Sequence, residues 1–314
     1  MTCPIIGAGY NGGMSPSQEP VIADLQVHSK YSDGTHAPAE LVRLAAQRGL
    51  QALALTDHDS ILGVEEALQA ATAYGVEVIP AIELSTASEP ARDLIDLDIL
   101  GYWIDHRDPG LQEILERVMA ARREQKIALI RRLQELGLDV PEEEVLSLAQ
   151  GVPGRPHIAE VVWRRNPGRF RSKQQIFDEL LAPESAAYVP RTFSLTAEQA
   201  IEVVRAAGGL PVLAHPGLYR RVRDLAGAIR RLRDAGLIGL EVWYPYEKAH
   251  HLGLSPQQAR AMTTHFHQLA TELGLLATGG SDYHGERSPH IELGECGMTR
   301  GAFDALKAEV RSRP

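Results

Sequence analysis

Residues 52–59 read Ala-Leu-Ala-Leu-Thr-Asp-His-Asp and place four polar side chains directly after a short apolar run. The run Ala52–Leu55 has the length and composition of a buried strand. A buried strand normally ends in apolar or turn residues, so this polar ending requires an explanation. Carboxylates and neutral imidazoles together bind divalent metal ions. The stretch therefore predicts a strand that carries metal ligands at its end.

Similar β-rich segments recur from residue 21 onward and alternate with helical patterns. This order predicts an α/β fold in which helices cover a parallel sheet. Seven segments, enough to close a barrel, are predicted as strands: 21–27, 52–56, 76–84, 95–103, 210–214, 238–243 and 275–278.

Helix signals lie between several of these strands. Pro38 near the start and Gly49 at the end predict a helix over residues 38–49, and Gly75 marks the end of a helix predicted over residues 60–75. Thr196 and Gln199 have capping-box spacing and predict the start of another helix. The alternation of strand and helix thus extends over both halves of the chain.

Residues 111–188 interrupt this alternation. Apolar residues at helical spacing persist there without a strand pattern: Ile114, Leu115, Val118, Ile127, Ile130 and Leu133. We predict a helical insertion that forms a cap subdomain over one end of the barrel. The barrel would then comprise residues 21–110 and 189–314, preceded by a flexible N-terminal tail over residues 1–20.

The composition allows one large core, because 314 residues with 44% hydrophobic content suit either one α/β barrel or two medium domains. The sequence has no apolar run long enough for a membrane helix, and residues 1–20 do not resemble a signal peptide. We therefore expect a cytoplasmic protein with no membrane partner. Cys3 and Cys296 lie too far apart for a CxxC zinc site, so any metal must be held by His, Asp and Glu.

The net charge of −9 argues against an extended nucleic-acid-binding face, because binding to polyphosphates needs clustered cations. Local basic clusters still occur, and we interpret them as solvated helical faces. A polyanion-binding strip is the alternative. The clustered residues are Arg122, Arg123, Lys126, Arg131, Arg132, Arg164, Arg165, Arg169 and Arg171.

The strongest signal for function is positional, because potential metal ligands fall within or just after six predicted strands. Active sites of β/α barrels are built at the strand C-termini. Taken singly, each residue has a structural explanation, such as a helix cap for Asp57 or Asp59 or a packed loop position for His215. Taken together they predict one site, formed by His28, Asp57, His58, Glu83, Asp98, His215, Asp282 and His284.

Several motifs resemble, in the same order, those of the polymerase and histidinol phosphatase (PHP) family. They are Asp24-Leu-Gln-Val-His-Ser29, Ser32-Asp-Gly34, Leu55-Thr-Asp-His-Asp59, Glu83, Ala214-His-Pro-Gly217 and Gly280-Ser-Asp-Tyr-His284. Residues 100–105, 154–159 and 188–191 also resemble the stand-alone branch of small phosphoesterases that act on nucleotides. The resemblance covers residues 21–285.

The resemblance implies a distorted (β/α)7 TIM-like barrel that holds two or three divalent metal ions (Mn, Zn, Fe or Mg). One ion would be bound by His28, Glu83 and Asp282. A second would share Glu83 and take His215. A third would be bound by Asp33, His58 and His284, which leaves Glu83 as the bridging carboxylate.

Two positions depart from the expected pattern. The family usually has histidine where this chain has Gln26, and the stand-alone branch usually has histidine where this chain has Asp98. Gln26 offers a carbonyl oxygen, a weaker ligand than imidazole. Asp98 offers a carboxylate, which favours harder ions such as Mn²⁺ or Mg²⁺. We keep both residues among the candidate ligands.

The activity implied is hydrolysis of a small phosphate monoester by a metal-activated water. The substrate would be a nucleoside 5′-monophosphate, a 3′,5′-bisphosphate or the end of a short oligonucleotide. Arg155, His157 and Arg191 are the candidate substrate contacts, with a surface salt bridge as the alternative for Arg191. Asp57 would orient a ligating histidine or a bound water.

Two other functions stay open at this point. A hydrolase of C–N bonds would also place metal ligands at strand ends, but a bridging carbamylated lysine is disfavoured because no lysine occurs between Lys30 and Lys126. A non-catalytic PHP module that binds metal or docks a partner is the second alternative. Assays of amides beside phosphate esters separate these possibilities.

Overall fold

The computed structural model describes residues 19–149, 153–182, 185–249 and 252–312. The tail predicted over residues 1–20 therefore lies almost entirely outside the described residues. The strands form one sheet in the order β7-β6-β5-β4-β3-β2-β1-β8. Their bounds are β1 Val21–Val27, β2 Ala52–Leu55, β3 Glu77–Ser85, β4 Asp98–Tyr102, β5 Leu210–Leu213, β6 Gly239–Trp243, β7 Leu276–Gly279 and β8 Met298–Thr299.

The sheet curls until the segment after β7 contacts β1. The backbone N–H of Asp282 donates to the carbonyl of Gln26 (2.9 Å), and that of His28 donates to the carbonyl of Tyr283 (3.0 Å). The predicted TIM-like barrel is thereby confirmed, in a distorted form. Strand β8 pairs antiparallel with β1 and was not predicted, because two residues are too few to show a strand pattern.

The prediction of an all-parallel sheet was wrong for β4, which runs antiparallel to both β3 and β5. A parallel connection requires a long crossover, usually an α-helix. Residues 86–97 contain only the short turn Pro90–Arg92, so the chain reverses instead. As a result Asp98 lies opposite Ser85, and the start of β4 shares an edge with the ends of its neighbours.

Most of the predicted helices form close to their expected bounds. The capping box of Thr196 and Gln199 is confirmed at the start of α7. Helix α2 ends at Gly75, whose φ of 67° suits glycine, but it begins at Val64 rather than at residue 60. The helices are α1 Pro38–Gln47, α2 Val64–Tyr74, α3 Pro109–Glu135, α4 Glu142–Ser147, α5 Arg155–Arg165, α6 Lys173–Ile176, α7 Ala197–Ala206, α8 Leu225–Asp234, α9 Pro256–Leu273 and α10 Arg300–Ser312.

Helix α3 belongs to two hydrophobic cores. Leu115 and Val118 pack in the core of the barrel, whereas Leu129 and Leu133 pack in a separate core with α5 and its neighbours. Because β4 runs in reverse, it ends at the edge away from Asp98, and α3 starts there. The 27 residues of α3 span about 40 Å at the usual helical rise. The helix is thus long enough to follow the barrel wall and continue into the cap.

None of the helices in the described ranges combines the length and the apolar composition that crossing a bilayer requires. The cytoplasmic location inferred from the sequence stays a prediction.

Candidate metal centre

Glu83 is the centre around which the predicted ligands gather. Its carboxylate is fully buried near the end of β3. The Oε2 atom lies 3.2 Å from His28 Nε2 and 3.3 Å from His58 Nδ1. The Oε1 atom lies 3.0 Å from His215 Nε2. Three strands distant in sequence thus deliver imidazoles to one carboxylate.

A second group of ligand types adjoins the first through His28. The Nε2 atom of His28 lies 3.1 Å from Asp282 Oδ1, and the His28 ring stacks on that of His284 at a centroid distance of 4.2 Å. His284 Nε2 in turn lies 3.2 Å from Asp33 Oδ1. Six of the strand-end residues identified from the sequence therefore meet, together with Asp33, in one cluster: His28, His58, Glu83, His215, Asp282 and His284.

The ligand atoms fall into two sets, each with its atoms within 4.8 Å of one another. One set combines His28, Asp33, His58 and His284, and the other combines His58 with Glu83 and Asp98. Asp98 reaches the second set from the start of β4, because that strand is reversed. Burial raises the pKa of the Asp98 carboxyl to about 7, and the negative charge of Glu83 adds to the shift.

Gln26 lies beside the same carboxylate. Its amide nitrogen donates to Glu83 Oε1 at 3.3 Å. Its carbonyl oxygen is buried and has no hydrogen-bond partner within the described part of the chain. The side chain thus holds Glu83 with one atom and leaves an oxygen ligand available with the other.

Unsatisfied polar atoms indicate that the set fits metal ions. Buried polar atoms in folded proteins nearly always have a hydrogen-bond partner. Here several buried ligand atoms lie close to one another but form no hydrogen bond of normal geometry among the described residues, namely both ring nitrogens of His28, Nδ1 of His58, Oδ1 of Asp33 and Oε2 of Glu83. A divalent cation would give these atoms a partner, because neutral imidazole nitrogens and carboxylate oxygens donate lone pairs to such ions.

Two buried aspartates hold the loops that carry ligands. Asp57 accepts from the backbone N–H of Ser29 (2.7 Å) and from the hydroxyls of Ser29 and Ser32. Asp57 was expected to orient a ligating histidine or a bound water; its hydrogen bonds among the described residues go to the loop between His28 and Asp33 instead. Asp24 does the same for Ser281, and burial raises its pKa to about 6.

Above the ligands lies a cavity of about 500 Å³. Asp33, His58 and Asp98 line it on the side of the ligand cluster, and residues of α3, of the start of α5 and of the segment 177–194 add to the lining. The wall carries four cationic side chains and several apolar ones, among them Arg122, Lys126, Arg155, Arg191, Leu129, Phe177, Tyr188 and Phe193. A ligand bound there would contact both the ligand set and the cap.

Asp59 ties the cationic wall to the barrel. Its Oδ2 lies 2.6 Å from Arg122 Nη1 and 3.3 Å from Arg191 Nη1, while Oδ1 accepts from the backbone of Ser85. Burial opposes ionisation, but the two guanidinium groups lower the pKa of the Asp59 carboxyl. Asp59 thus anchors arginines and does not cap a helix.

Arg122 and Lys126 were expected on a solvated face, and the structure corrects this for both. They are buried, and Lys126 Nζ donates to Gln125 Oε1 at 3.2 Å. Burial, followed by the charges of Arg122 and Arg191, lowers the pKa of the Lys126 ammonium well below its usual value. Their positions continue the apolar stripe of Leu115, Val118 and Leu129, and this spacing was the available signal.

The candidate substrate contacts have different locations. Arg155 is exposed on the cavity wall, and Arg191 is held there by Asp59. His157 is buried, and its Nδ1 accepts from the backbone N–H of Gly154 at the start of α5. Burial and, secondarily, the charge of Arg287 lower the pKa of His157 to about 4. The structure therefore uses this histidine as a helix cap.

Other basic residues of the cap behave as the solvated-face interpretation predicted. Arg123, Arg131 and Arg132 are exposed on α3. Arg164 and Arg165 are paired with Glu144. These side chains are therefore exposed to solvent or form surface ion pairs.

Glu241 belongs to the site although the sequence reasoning missed it. It lies in β6, is fully buried, and accepts a hydrogen bond from the backbone of His215. A glutamate within a buried strand was the available signal, because charged residues are almost never fully buried without a partner.

Two curated relatives resemble the chain over most of its length. A 5′-3′ exoribonuclease of Haemophilus influenzae is 33% identical over 83% of this chain and 89% of that protein. A 3′,5′-nucleoside bisphosphate phosphatase of Chromobacterium violaceum is 30% identical over 83% of this chain and 86% of that protein.

A solved structure and a family model agree with these relatives. The structure described as a putative metal-dependent phosphoesterase from Bifidobacterium adolescentis superposes with a TM-score of 0.77 at 27% identity, covering 93% of this chain and 97% of that one. The family model described as the PHP domain matches residues 24–268. With its barrel, its ordered motifs and its converging ligand types, the chain belongs to the PHP domain family.

Proposed function

We propose that this protein is a metal-dependent phosphoesterase that hydrolyses small nucleotides carrying a second phosphate group. The observation that carries the proposal is the position of a cationic wall opposite a cluster of metal-ligand types across one cavity. Its volume of about 500 Å³ lies within the range of small-molecule sites. The bisphosphate phosphatase among the relatives supports this choice of substrate.

The ligands we assign fall into two groups. His28, Asp33, His58 and His284 would hold one ion, and Glu83 with Asp98 would hold another together with His58. Gln26, His215 and Asp282 adjoin these sets and would complete the coordination of two or three ions. The donor set, rich in carboxylate oxygen, favours Mn²⁺ or Mg²⁺ but accepts Zn²⁺ or iron.

Bound divalent ions supply an activated water nucleophile and stabilise charge on the phosphoryl oxygens. The protein contributes positioning. Asp57 and Asp24 hold the ligand loops, and the three arginines of the wall, Arg122, Arg155 and Arg191, would bind the second phosphate. Guanidinium groups are suited to that task because they donate in pairs to phosphate oxygens.

One guanidinium donor on the wall has no hydrogen-bond partner among the described residues. Arg122, Lys126, Arg155 and Arg191 line the cavity, whereas Asp59 is the carboxylate within contact of two of them. Arg122 Nε is buried without a hydrogen-bond partner in the described ranges. A phosphate would satisfy this donor.

The experiment is a phosphate-release screen with metal-stripped protein. Nucleoside 5′-monophosphates, 3′,5′-bisphosphates, short oligonucleotides and amides would each be tested with Mn²⁺, Mg²⁺, Zn²⁺ or iron. We expect turnover of phosphate esters only, with bisphosphates preferred over monophosphates. Turnover of amides alone would contradict the proposal.

Two variants test the two halves of the site. His215→Ala should abolish turnover without unfolding the barrel. The double variant Arg122→Met with Lys126→Met should raise KM for a bisphosphate tenfold or more and leave KM for a monophosphate nearly unchanged. Equal effects on both substrates would show that the wall does not bind a second phosphate.

A further inference from the structure

Strand β6 supplies none of the proposed ligands, yet it contacts ligands from both neighbouring strands. Glu241 Oε2 accepts from the backbone N–H of His215 at 2.8 Å. Tyr244, just after the strand, donates from its hydroxyl to Asp282 Oδ2 at 3.1 Å. The end of β6 is therefore placed to hold ligands that follow β5 and β7.

His215 adopts a backbone conformation that needs such a partner. Its φ of 22° and ψ of 61° lie in the left-handed region, which disfavours residues with a Cβ atom. The following residue is Pro216, and the residue before a proline prefers extended backbone. A conformation opposed by both effects persists only where the surroundings hold it.

The backbone position of His215 decides where its imidazole lies. Nε2 is 3.0 Å from Glu83 Oε1, and the ring contacts that of Tyr244 edge-on at a centroid distance of 5.6 Å. Relaxation of the backbone towards extended geometry would swing the ring away from Glu83. The Glu241 hydrogen bond opposes that movement.

We infer that Glu241 is a positioning residue of the metal centre, which holds the His215 backbone so that its imidazole binds the same ion as Glu83. This inference rests on the proposed metal-dependent function. The inference depends on the length of the Glu241 side chain, which brings its acceptor oxygen to the His215 N–H, and not on the negative charge. Side-chain length and charge can be tested separately, because one substitution keeps the length and another keeps the charge.

Glu241→Gln keeps an acceptor oxygen at the same reach but removes the charge. Glu241→Asp keeps the charge but shortens the side chain by one methylene group. Tyr102→Phe is the matched control, because it removes a buried hydroxyl on β4 and alters no contact with His215. All three changes are conservative in size, and circular dichroism would verify folding.

Metal-stripped wild-type and variant proteins would be titrated with Mn²⁺ by calorimetry, and kcat and KM would be measured separately. We expect Glu241→Asp to weaken at least one Mn²⁺ affinity by about tenfold or more and to lower kcat with little change in KM. Glu241→Gln and Tyr102→Phe should retain affinities within about threefold of wild type.

Three results would overturn the inference. The first is weak binding by Glu241→Gln together with normal binding by Glu241→Asp, which would assign the role to charge. The second is wild-type affinity in both variants. The third is a loss in Tyr102→Phe as large as that in Glu241→Asp. Failure of the wild-type protein to bind any of Mn²⁺, Mg²⁺, Zn²⁺ or Fe²⁺ in the same titration would instead reject the proposed metal-dependent function, and this inference with it.

Discussion

Three residues at this site adopt left-handed backbone conformations that could not be predicted from the sequence. Asp59, His215 and Asp282 all have positive φ values, of 53°, 22° and 56°. Strained backbone of this kind collects at functional sites, where surrounding contacts hold it. Each of the three residues has its side chain aimed at a charged partner. The strain is thus linked to the placement of charge.

Asp59 offers a test of the cationic wall. Asp59→Asn removes the carboxylate that faces the buried guanidinium of Arg122 and the partly buried one of Arg191, and we expect a loss of roughly 3 kcal/mol in the free energy of unfolding. Inorganic phosphate should restore more stability to the variant than to wild type, because it replaces the missing negative charge. Urea denaturation with and without phosphate measures both effects. Equal stabilisation of the two proteins by phosphate would contradict this account.

His157 predicts a pH dependence of stability. Its pKa is about 4 in the folded protein, below the ordinary value of 6.5. Between these values the unfolded imidazole binds a proton that the folded one resists, so stability falls as pH drops from about 6.5 towards 4, by up to about 3 kcal/mol. His157→Gln keeps a capping-box acceptor without titrating.

Denaturant unfolding at pH 7 and pH 5 would show the difference. Wild-type protein should lose more stability over this interval than His157→Gln, with both measured without added metal. The same loss in the two proteins would mean that the histidine does not titrate in this window.

Most candidate ligands could be predicted from the sequence, but the cationic side chains that face them across the cavity could not. His28, Glu83 and His215 follow apolar runs, and that signal is local. The partners of Arg122 and Lys126 depend on how far α3 extends over the barrel, which is a tertiary property. Lysine and arginine on a helix are usually solvated, and this expectation misassigned both residues.

At the scale of elements, the reversal of β4 is the feature that most affects the site. The sequence predicted the strand, because its apolar run is clear, but not its direction. Direction depends on the connection from β3, which lacks an α-helix. With β4 parallel, Asp98 would lie at the opposite edge of the sheet, far from Glu83. The reversal makes Asp98 available as a ligand.

Gly101 allows β4 to pack closely against α7. A Cβ atom built at Gly101 would lie 2.7 Å from Val204 Cγ2 and 3.2 Å from Ile82 Cγ2. Gly101→Ala should therefore destabilise the protein by about 1–3 kcal/mol through overpacking. Urea denaturation would measure the change.

Gly301 in α10 is the matched control for this prediction. A Cβ atom there meets nothing within 4 Å, so Gly301→Ala should be neutral or slightly stabilising. A similar loss in both variants would mean that the cost comes from the backbone and not from the Val204 contact.

At the scale of the whole molecule, α3 joins the cap to the barrel. Leu115 packs in the barrel core and Leu133 in the cap core, on one continuous helix. The predicted insertion over residues 111–188 therefore starts inside a helix that the barrel shares. Hydrophobic periodicity identified the helix but could not assign its two halves to different cores.

We expect the two cores to unfold together. Leu133→Ala should cost about 2–5 kcal/mol, and the cost should register equally in both parts of the molecule. Variants that retain a single tryptophan, either Trp103 beside the barrel core or Trp163 in α5, would report the two parts by fluorescence. A midpoint that shifts for Trp163 alone would contradict a shared transition.

The rigid path of α3 also has an evolutionary consequence. Its position along the barrel wall places Arg122 and Lys126 relative to the ligand cluster, and its helical phase turns both side chains inward. Loss of one residue between Val118 and Arg122 would rotate both side chains by about 100° around the helix axis and shift them by about 1.5 Å along it. Homologues whose helix has gained or lost residues would therefore select esters with a different spacing between phosphates, even where every metal ligand is kept.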